Sequence, residues 1–290
     1  MEQTSQINSA EHRKGILAII LAAVVWSTGG LFIKLLPFDA LSILFYRSGF
    51  SAAIFAAIYY KNIFHVNKTS IASSVFYCSL LIAFVMSTKL TTAANAIFLQ
   101  YTAPIYVLLL EPLLFRQKMK RSDLLCILAC VGGMFLFFSD QFGGGSLKGN
   151  LLGLLSGFML AGFILAQRIN KAVYHFSAIF WGNILVLLVS FPSFLHAPSP
   201  TTPQWAMLAF LGIVQIGVGY IAFTYGLKRS TATESSLLAM IEPILNPIWV
   251  MIGYGEWPSY LAILGGSIIL VALSTRTLYL ERERRLMSAD

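Results

Sequence analysis

Charge is what this sequence has least of. Only 11% of its residues are Asp, Glu, Lys or Arg, against 57% apolar, whereas soluble proteins carry about 25% charged residues. A water-facing surface needs roughly a quarter or more of them, so a soluble enzyme is disfavoured and the mean hydropathy of +0.76 points to lipid. Clustered cysteine and histidine are also lacking. Cys78, Cys126 and Cys130 form no CxxC pair, and His12, His65, His175 and His196 fall in loops or tails. Metal centres and cofactor sites therefore have no ligand set, and Cys126 and Cys130 read as small core residues sharing a helix face. A membrane-embedded enzyme would need a nucleophile, paired acids or a metal set at membrane depth, and none is visible. The net charge of +8 comes from 20 basic residues scattered between apolar blocks. No continuous basic stripe offers itself to nucleic acid.

What is present is a series of apolar runs of helical length. Crossing a hydrocarbon core of roughly 30 Å takes about 20 residues of helix. Such runs lie at 15–36, 40–60, 70–89, 92–115, 122–139, 149–169, 177–195, 204–228, 232–252 and 259–280. The connections are short and carry breakers, as in Pro37-Phe38-Asp39, Gly143-Gly144-Gly145-Ser146 and the stretch from Ala197 to Pro203. Arg13-Lys14 precedes the first run as in a signal peptide, but no cleavage site is evident and the run reads as the first span. Alternate segments differ sharply in charge: 16 of the 20 basic residues lie on one side, three (Lys34, Lys89, Lys148) on the other, and Arg47 inside a span. Cytoplasmic loops carry such an excess. Ten spans in the inner (cytoplasmic) membrane, with both termini cytoplasmic, are therefore expected.

Shifting the chain on itself by 139 residues brings Ile82-Ala83-Phe84 onto Ile221-Ala222-Phe223, Lys89 onto Lys228, Thr92-Ala93 onto Thr231-Ala232, Leu99 onto Leu238 and Pro104-Ile105 onto Pro243-Ile244. At a nearby shift Gly15 meets Gly149, Lys34 meets Arg168, and Ser42 and Phe45 meet Ser177 and Phe180. Each half thus holds five spans, and an odd number forces the second half into the membrane upside down. The expected organisation is a tail at 1–14, a first repeat at 15–139, a glycine-rich linker at 140–148, an inverted repeat at 149–280 and a tail at 281–290. Inverted repeats are a transporter architecture, because two similar bundles in opposite orientation can exchange conformations around a midplane site.

These residues resemble the drug/metabolite transporter superfamily, in particular its ten-span EamA-type members, over nearly the whole chain. The resemblance rests on the duplicated five-span unit, on Ser230-Thr231-Ala232 leading to Glu242-Pro243, and on Gly255-Glu256-Trp257-Pro258-Ser259 before the last span. The first half departs there: Arg116-Gln117-Lys118-Met119-Lys120 lacks the glutamate, so Glu256 is given no function needed in both halves. The resemblance implies an all-α basket of two inverted five-helix repeats around a central cavity, lined mainly by spans 1, 3, 4, 6, 8 and 9. Members of the superfamily move amino acids, nucleosides, cations and drugs.

An ionisable group deep in a span faces the bundle interior or water by default. Glu242 is the first candidate, since Pro243 and Pro247 are expected to break the ninth span beside it, and Asn246 and Trp249 share its face. It can bind a cargo ammonium or take up a proton. Arg47 can fork onto a cargo carboxylate, but it reads first as an inter-helix anchor able to snorkel to the surface. Glu111 reads as structural. Asn95, Gln100, Gln167, Gln215 and Asn246 are either cavity groups or interhelical hydrogen-bond glue, Asn183 likewise. Trp26, Tyr101, Tyr220 and Tyr225 lie on the expected cavity spans, where rings stack a cation or simply pack. Pro104 is the first-half counterpart of Pro243. The resulting expectation is a secondary transporter exporting an amino acid or related zwitterion, with organic cations as the alternative cargo. Its partners are that small molecule and the lipid bilayer, with no cofactor.

Overall fold

The computed structural model describes residues 9–115, 121–139, 146–230 and 232–287. The segment Arg116–Lys120, most of the glycine-rich linker and the outermost tails lie outside them. Every regular element among the described residues is helical. Span 1 is α1 (Ser9–Ser27) with α2 (Gly29–Leu35), span 2 is α3 (Ala40–Tyr59) and span 3 is α4 (Lys68–Leu90). Span 4 is α5 (Ala93–Gln100) with α6 (Ala103–Phe115), and span 5 is α7 (Arg121–Ser139). Span 6 is α8 (Leu147–Ile169) and span 7 is α9 (His175–His196). Span 8 joins α10 (Thr202–Ala209), a π-helix (Phe210–Val218) and α11 (Gly219–Leu227). Span 9 is α12 (Ala232–Ala239) with α13 (Ile241–Tyr254), and span 10 is α14 (Tyr260–Met287). Nine of these are long and apolar enough to cross a membrane among the described residues; the 19-residue α7 completes the ten. The terminal helices run past the expected span bounds, α1 starting at Ser9 and α14 running on through the charged residues 281–283 to Met287.

Local chemistry sets the helix starts. Asp39 caps α3, accepting from the Leu41 and Ser42 amides. Partial burial opposes its ionisation, yet those amides and the Ser42 hydroxyl outweigh it and hold the carboxyl below its usual range. Asn67 and Ser70 form a reciprocal capping box on α4, Thr92 caps α5 and Ser146 caps α8.

The spans pair so that exchanging the two halves maps each contact onto another. Span 3 packs on 6 as span 8 packs on 1; span 4 on 6 as 9 on 1; span 3 on 7 as 8 on 2. Spans 2 and 7, and spans 5 and 10, pack on their own counterparts. These counterparts run antiparallel. Ser42 at the start of span 2 reaches the Ser193 carbonyl at the end of span 7 (3.3 Å), while Trp181 at the start of span 7 donates to Ile63, just past the end of span 2 (2.9 Å). Asp123 and Arg276 pair at 2.8 Å between the start of span 5 and the end of span 10, with Gly133 against the Gly265 carbonyl farther along. The second half is therefore inverted relative to the first.

Close approach is bought by a ridge of glycines on span 6. Gly149 faces Thr91, Gly153 faces Ser87 and Leu99, and Gly157 faces Thr102 and the Leu99 and Gln100 carbonyls. That spacing of four keeps them on one helical face and lets backbones touch. The outside is apolar, with Leu113, Phe135, Leu188 and Ile252 exposed, whereas Ser48, Ser51, Ser74, Ser87 and Thr88 are buried. Polar atoms inside and hydrocarbon outside suit a lipid solvent.

Candidate functional site

Spans 4 and 9 are broken at equivalent places. The first half-helix of span 4 ends at Gln100 and that of span 9 at Ala239, which is 139 residues later, the offset of the internal repeat. Each break exposes carbonyls that the next turn no longer uses. Across the seam the Tyr101 hydroxyl lies 2.9 Å from Glu242 Oε2 and 3.0 Å from the Ala239 carbonyl. One half thus supplies a phenol to the carboxylate and the free carbonyl of the other. Glu242, Tyr101 and Tyr220 are half-buried.

A second polar group stands nearby. Arg47 is 4% exposed and does not reach the surface; its Nη2 donates to Gln215 Oε1 at 2.7 Å. Gln215 sits in the π-helix of span 8, and its Nε2 donates to the Trp26 carbonyl at 3.2 Å. Trp26 packs edge-on against Tyr220, centroids 5.3 Å apart, and tilted against Phe223 at 5.1 Å. Arg47 also lies within electrostatic range of Tyr77, Tyr220 and Glu242. Span 1 breaks at Thr28, and the two glycines after it make room for incoming amides: Gly29 abuts the Gln215 side chain and Gly30 that of Asn246. Trp249 Nε1 donates to Ser27 Oγ at 2.9 Å, tying span 9 to the same break.

The sequence candidates therefore divide. Glu242, Tyr101, Tyr220, Trp26, Gln215 and Asn246 converge, and Gln100 ends the half-helix beside them. Asn95, Gln167 and Tyr225 lie elsewhere. Asn95 bonds Asn150 Oδ1 at 3.2 Å where spans 4 and 6 begin, Gln167 bonds the His175 carbonyl, and the Tyr225 ring covers Arg229, 3.6 Å away. Two further expectations need correction. Pro247 does not break span 9: it lies within α13, while Pro243 and Pro104 sit in the first turns of α13 and α6, where a missing N–H costs little. Arg47 does not snorkel, because spans 2, 3 and 8 enclose it. Tyr77 and Asn183, buried beside this cluster, had no signal separating them from the many other polar and aromatic residues in spans.

Ion pairs join the two halves at both ends. On the side poor in basic residues, Lys34 of span 1 pairs with Glu256 at 2.6 Å, only 10% and 19% of their side chains being exposed. Lys34 also donates to the Thr91 carbonyl, and Glu256 accepts from the Ala93 amide at the start of span 4 (2.7 Å). Lys89 donates to the Leu36 carbonyl at 2.6 Å. On the basic side Arg168 of span 6 pairs with Glu111 of span 4, and Arg229 pairs with Glu11 at 2.9 Å. Spans 6 and 4 are the repeat counterparts of spans 1 and 9, so one inter-half latch exists at each end.

The model of the EamA-like transporter family matches residues 13–139 and again 147–275. The chain belongs to the EamA-like transporter family. A transporter of Archaeoglobus fulgidus, itself uncharacterised, is 26% identical to this EamA-like chain over 262 residues, 90% of this chain and 95% of that one. The pseudopaline exporter CntI of Pseudomonas aeruginosa is 23% identical over 272 residues, 90% and 94% of the two chains. The biotin transporter of Escherichia coli is 23% identical over 192 residues, 62% and 63%. A solved crystal structure superposes with a TM-score of 0.62 at 17% identity, covering 93% of this chain and 98% of that one, a likeness of fold. The family and these relatives are transporters, not enzymes, and this EamA-like chain is a multi-pass membrane protein.

Proposed function

We propose that the protein is a secondary transporter exporting a small zwitterionic metabolite, an amino acid or close relative, by alternating access across the cytoplasmic membrane. The observation that carries this reading is the Tyr101–Glu242 contact across the seam of two repeat-related broken spans. Helix breaks at matching positions of inverted repeats mark transporter cargo sites, and a carboxylate at membrane depth faces the bundle interior and is a functional group by default. Outward movement is supported by the exporter among its relatives. The excess of basic residues at one end supports a cytoplasmic position for that end and for both termini. The two latches then serve as inner and outer closures that open in turn.

A second reading is favoured by Trp26 and Tyr220 beside Glu242, since aromatic faces with a carboxylate suit an organic cation. Counterflow in proteoliposomes separates the two. Vesicles preloaded with unlabelled proteinogenic amino acids are expected to accumulate labelled ones, and vesicles preloaded with quaternary amines are not. Exchange of quaternary amines with no exchange of amino acids would replace the first reading by the second.

A further inference from the structure

We infer that Arg47, held by Gln215, is the carboxylate-binding pole of the cargo site, so that the cargo is recognised by its anionic group as well as by its ammonium. This deepens the proposed zwitterion transport and rests on it. The guanidinium is almost wholly buried, and among the described residues Nη2 alone has an acceptor, the neutral Gln215 amide, while Nε and Nη1 meet none. A buried arginine that served merely as an anchor would saturate its N–H groups on carbonyls or a carboxylate. Its nearest anion, Glu242, bonds Tyr101 instead. The Tyr77 hydroxyl, buried on the neighbouring span 3, lies beside Arg47, Asn183 and Tyr220. Unspent guanidinium N–H groups thus stand on one flank of the site, next to the Tyr77 hydroxyl, while the carboxylate stands on the other.

The backbone points the same way independently. Gln215 lies in a nine-residue π-helix, a rare element that recurs at functional sites because it shifts side chains out of helical register. Here Gly212 lets that segment press onto the Arg47 carbonyl and Phe50. Gln215 is in turn pinned by the Trp26 carbonyl, so its Oε1 fixes one nitrogen of the fork and leaves the others for a ligand. A planar guanidinium matches a carboxylate, and a lysine ammonium does not reproduce that fit.

The test uses the full-length protein in nanodiscs and reads thermal midpoints, which rise when a ligand binds the native state. Three pools are compared: proteinogenic amino acids, their amides, and the corresponding decarboxylated amines. The wild type is expected to be stabilised by the acids alone. Arg47→Lys should weaken that binding about tenfold or more, and Arg47→Gln should abolish the preference for acids over amides. Stabilisation of the wild type by amides or amines as strong as by acids would overturn the carboxylate role while leaving a cation transporter standing. So would Arg47→Lys binding acids with unchanged affinity. If Arg47→Gln does not insert, the lysine variant and the wild-type pools decide alone. If no pool binds at all, the zwitterion reading itself falls, and the role of Arg47 with it.

Discussion

Replacing Glu242 by Gln should cut cargo exchange at least a hundredfold, about 3 kcal/mol of binding, in protein that still inserts and exchanges heat-denaturation curves with little change. The variant keeps size and an acceptor for Tyr101, so the bond across the seam survives; only the charge that faces the cargo ammonium goes. Charge pairs of this kind in a desolvated site are worth a few kcal/mol. Tyr101→Phe should lose less, about tenfold, because it removes one hydrogen bond to a charged group. Exchange assays at several pH values distinguish the alternative role of the same carboxylate: if Glu242 carries a proton, the Gln variant keeps exchange and loses only its pH dependence. Unchanged exchange with an unchanged pH profile would show that the seam contact is structural.

The second large effect is expected at the outer latch. Glu256→Gln leaves the largely buried Lys34 ammonium without its counter-charge, with the Thr91 carbonyl and the Tyr254 ring 5.9 Å away as its neighbours. Breaking a buried pair by removing one partner costs about 3–5 kcal/mol, because the other charge stays behind. Lys34→Met should cost a similar amount. The double variant should lose clearly less than the sum, with a coupling of at least about 1 kcal/mol in unfolding experiments. Because the pair ties span 1 to the end of span 9, both single variants should also favour the state open on that side. Additive losses would mean that the two groups act independently and that no latch exists there.

Much of this architecture was legible in the sequence, for physical reasons. Hydrocarbon forces long apolar helices, and each half-repeat keeps its prolines and lysines in register, so the span count and the inversion could be read from Lys89 against Lys228 and Pro104 against Pro243. The breaks were read less well. A proline fits a helix's first turn, so the chain breaks at Tyr101-Thr102 and Met240, just before the prolines, and Pro247 is simply carried along. Nothing in the residues around Gln215 foretells a π-helix, in which Gly212 meets span 2. The sequence left Arg47 between an inter-helix anchor and a snorkelling side chain, because a position along a span does not say whether its side chain turns to lipid or to the interior. Asn95, Gln167 and Gln215 are one chemistry in three places, two of them bonding neighbouring spans or loops and one the guanidinium. The tie between Glu256 and Lys34 was also hidden, since the pair joins residues far apart in the chain. The first half meets the same need with a different residue, Glu111, on Arg168.

Alternating access to the seam is best examined with a single cysteine at Gln100, the partly accessible end of the first half-helix beside Tyr101, in protein whose buried Cys78, Cys126 and Cys130 have been replaced by alanine. A membrane-impermeant thiol reagent is applied to sealed vesicles of either orientation. The cysteine should react from both faces, saturating cargo should protect it on both, and Glu256→Gln should raise reaction from the side that Lys34 and Glu256 close. Reaction from one face only, unaltered by cargo or by loss of the latch, would contradict a central site exposed in turn to each side of the membrane.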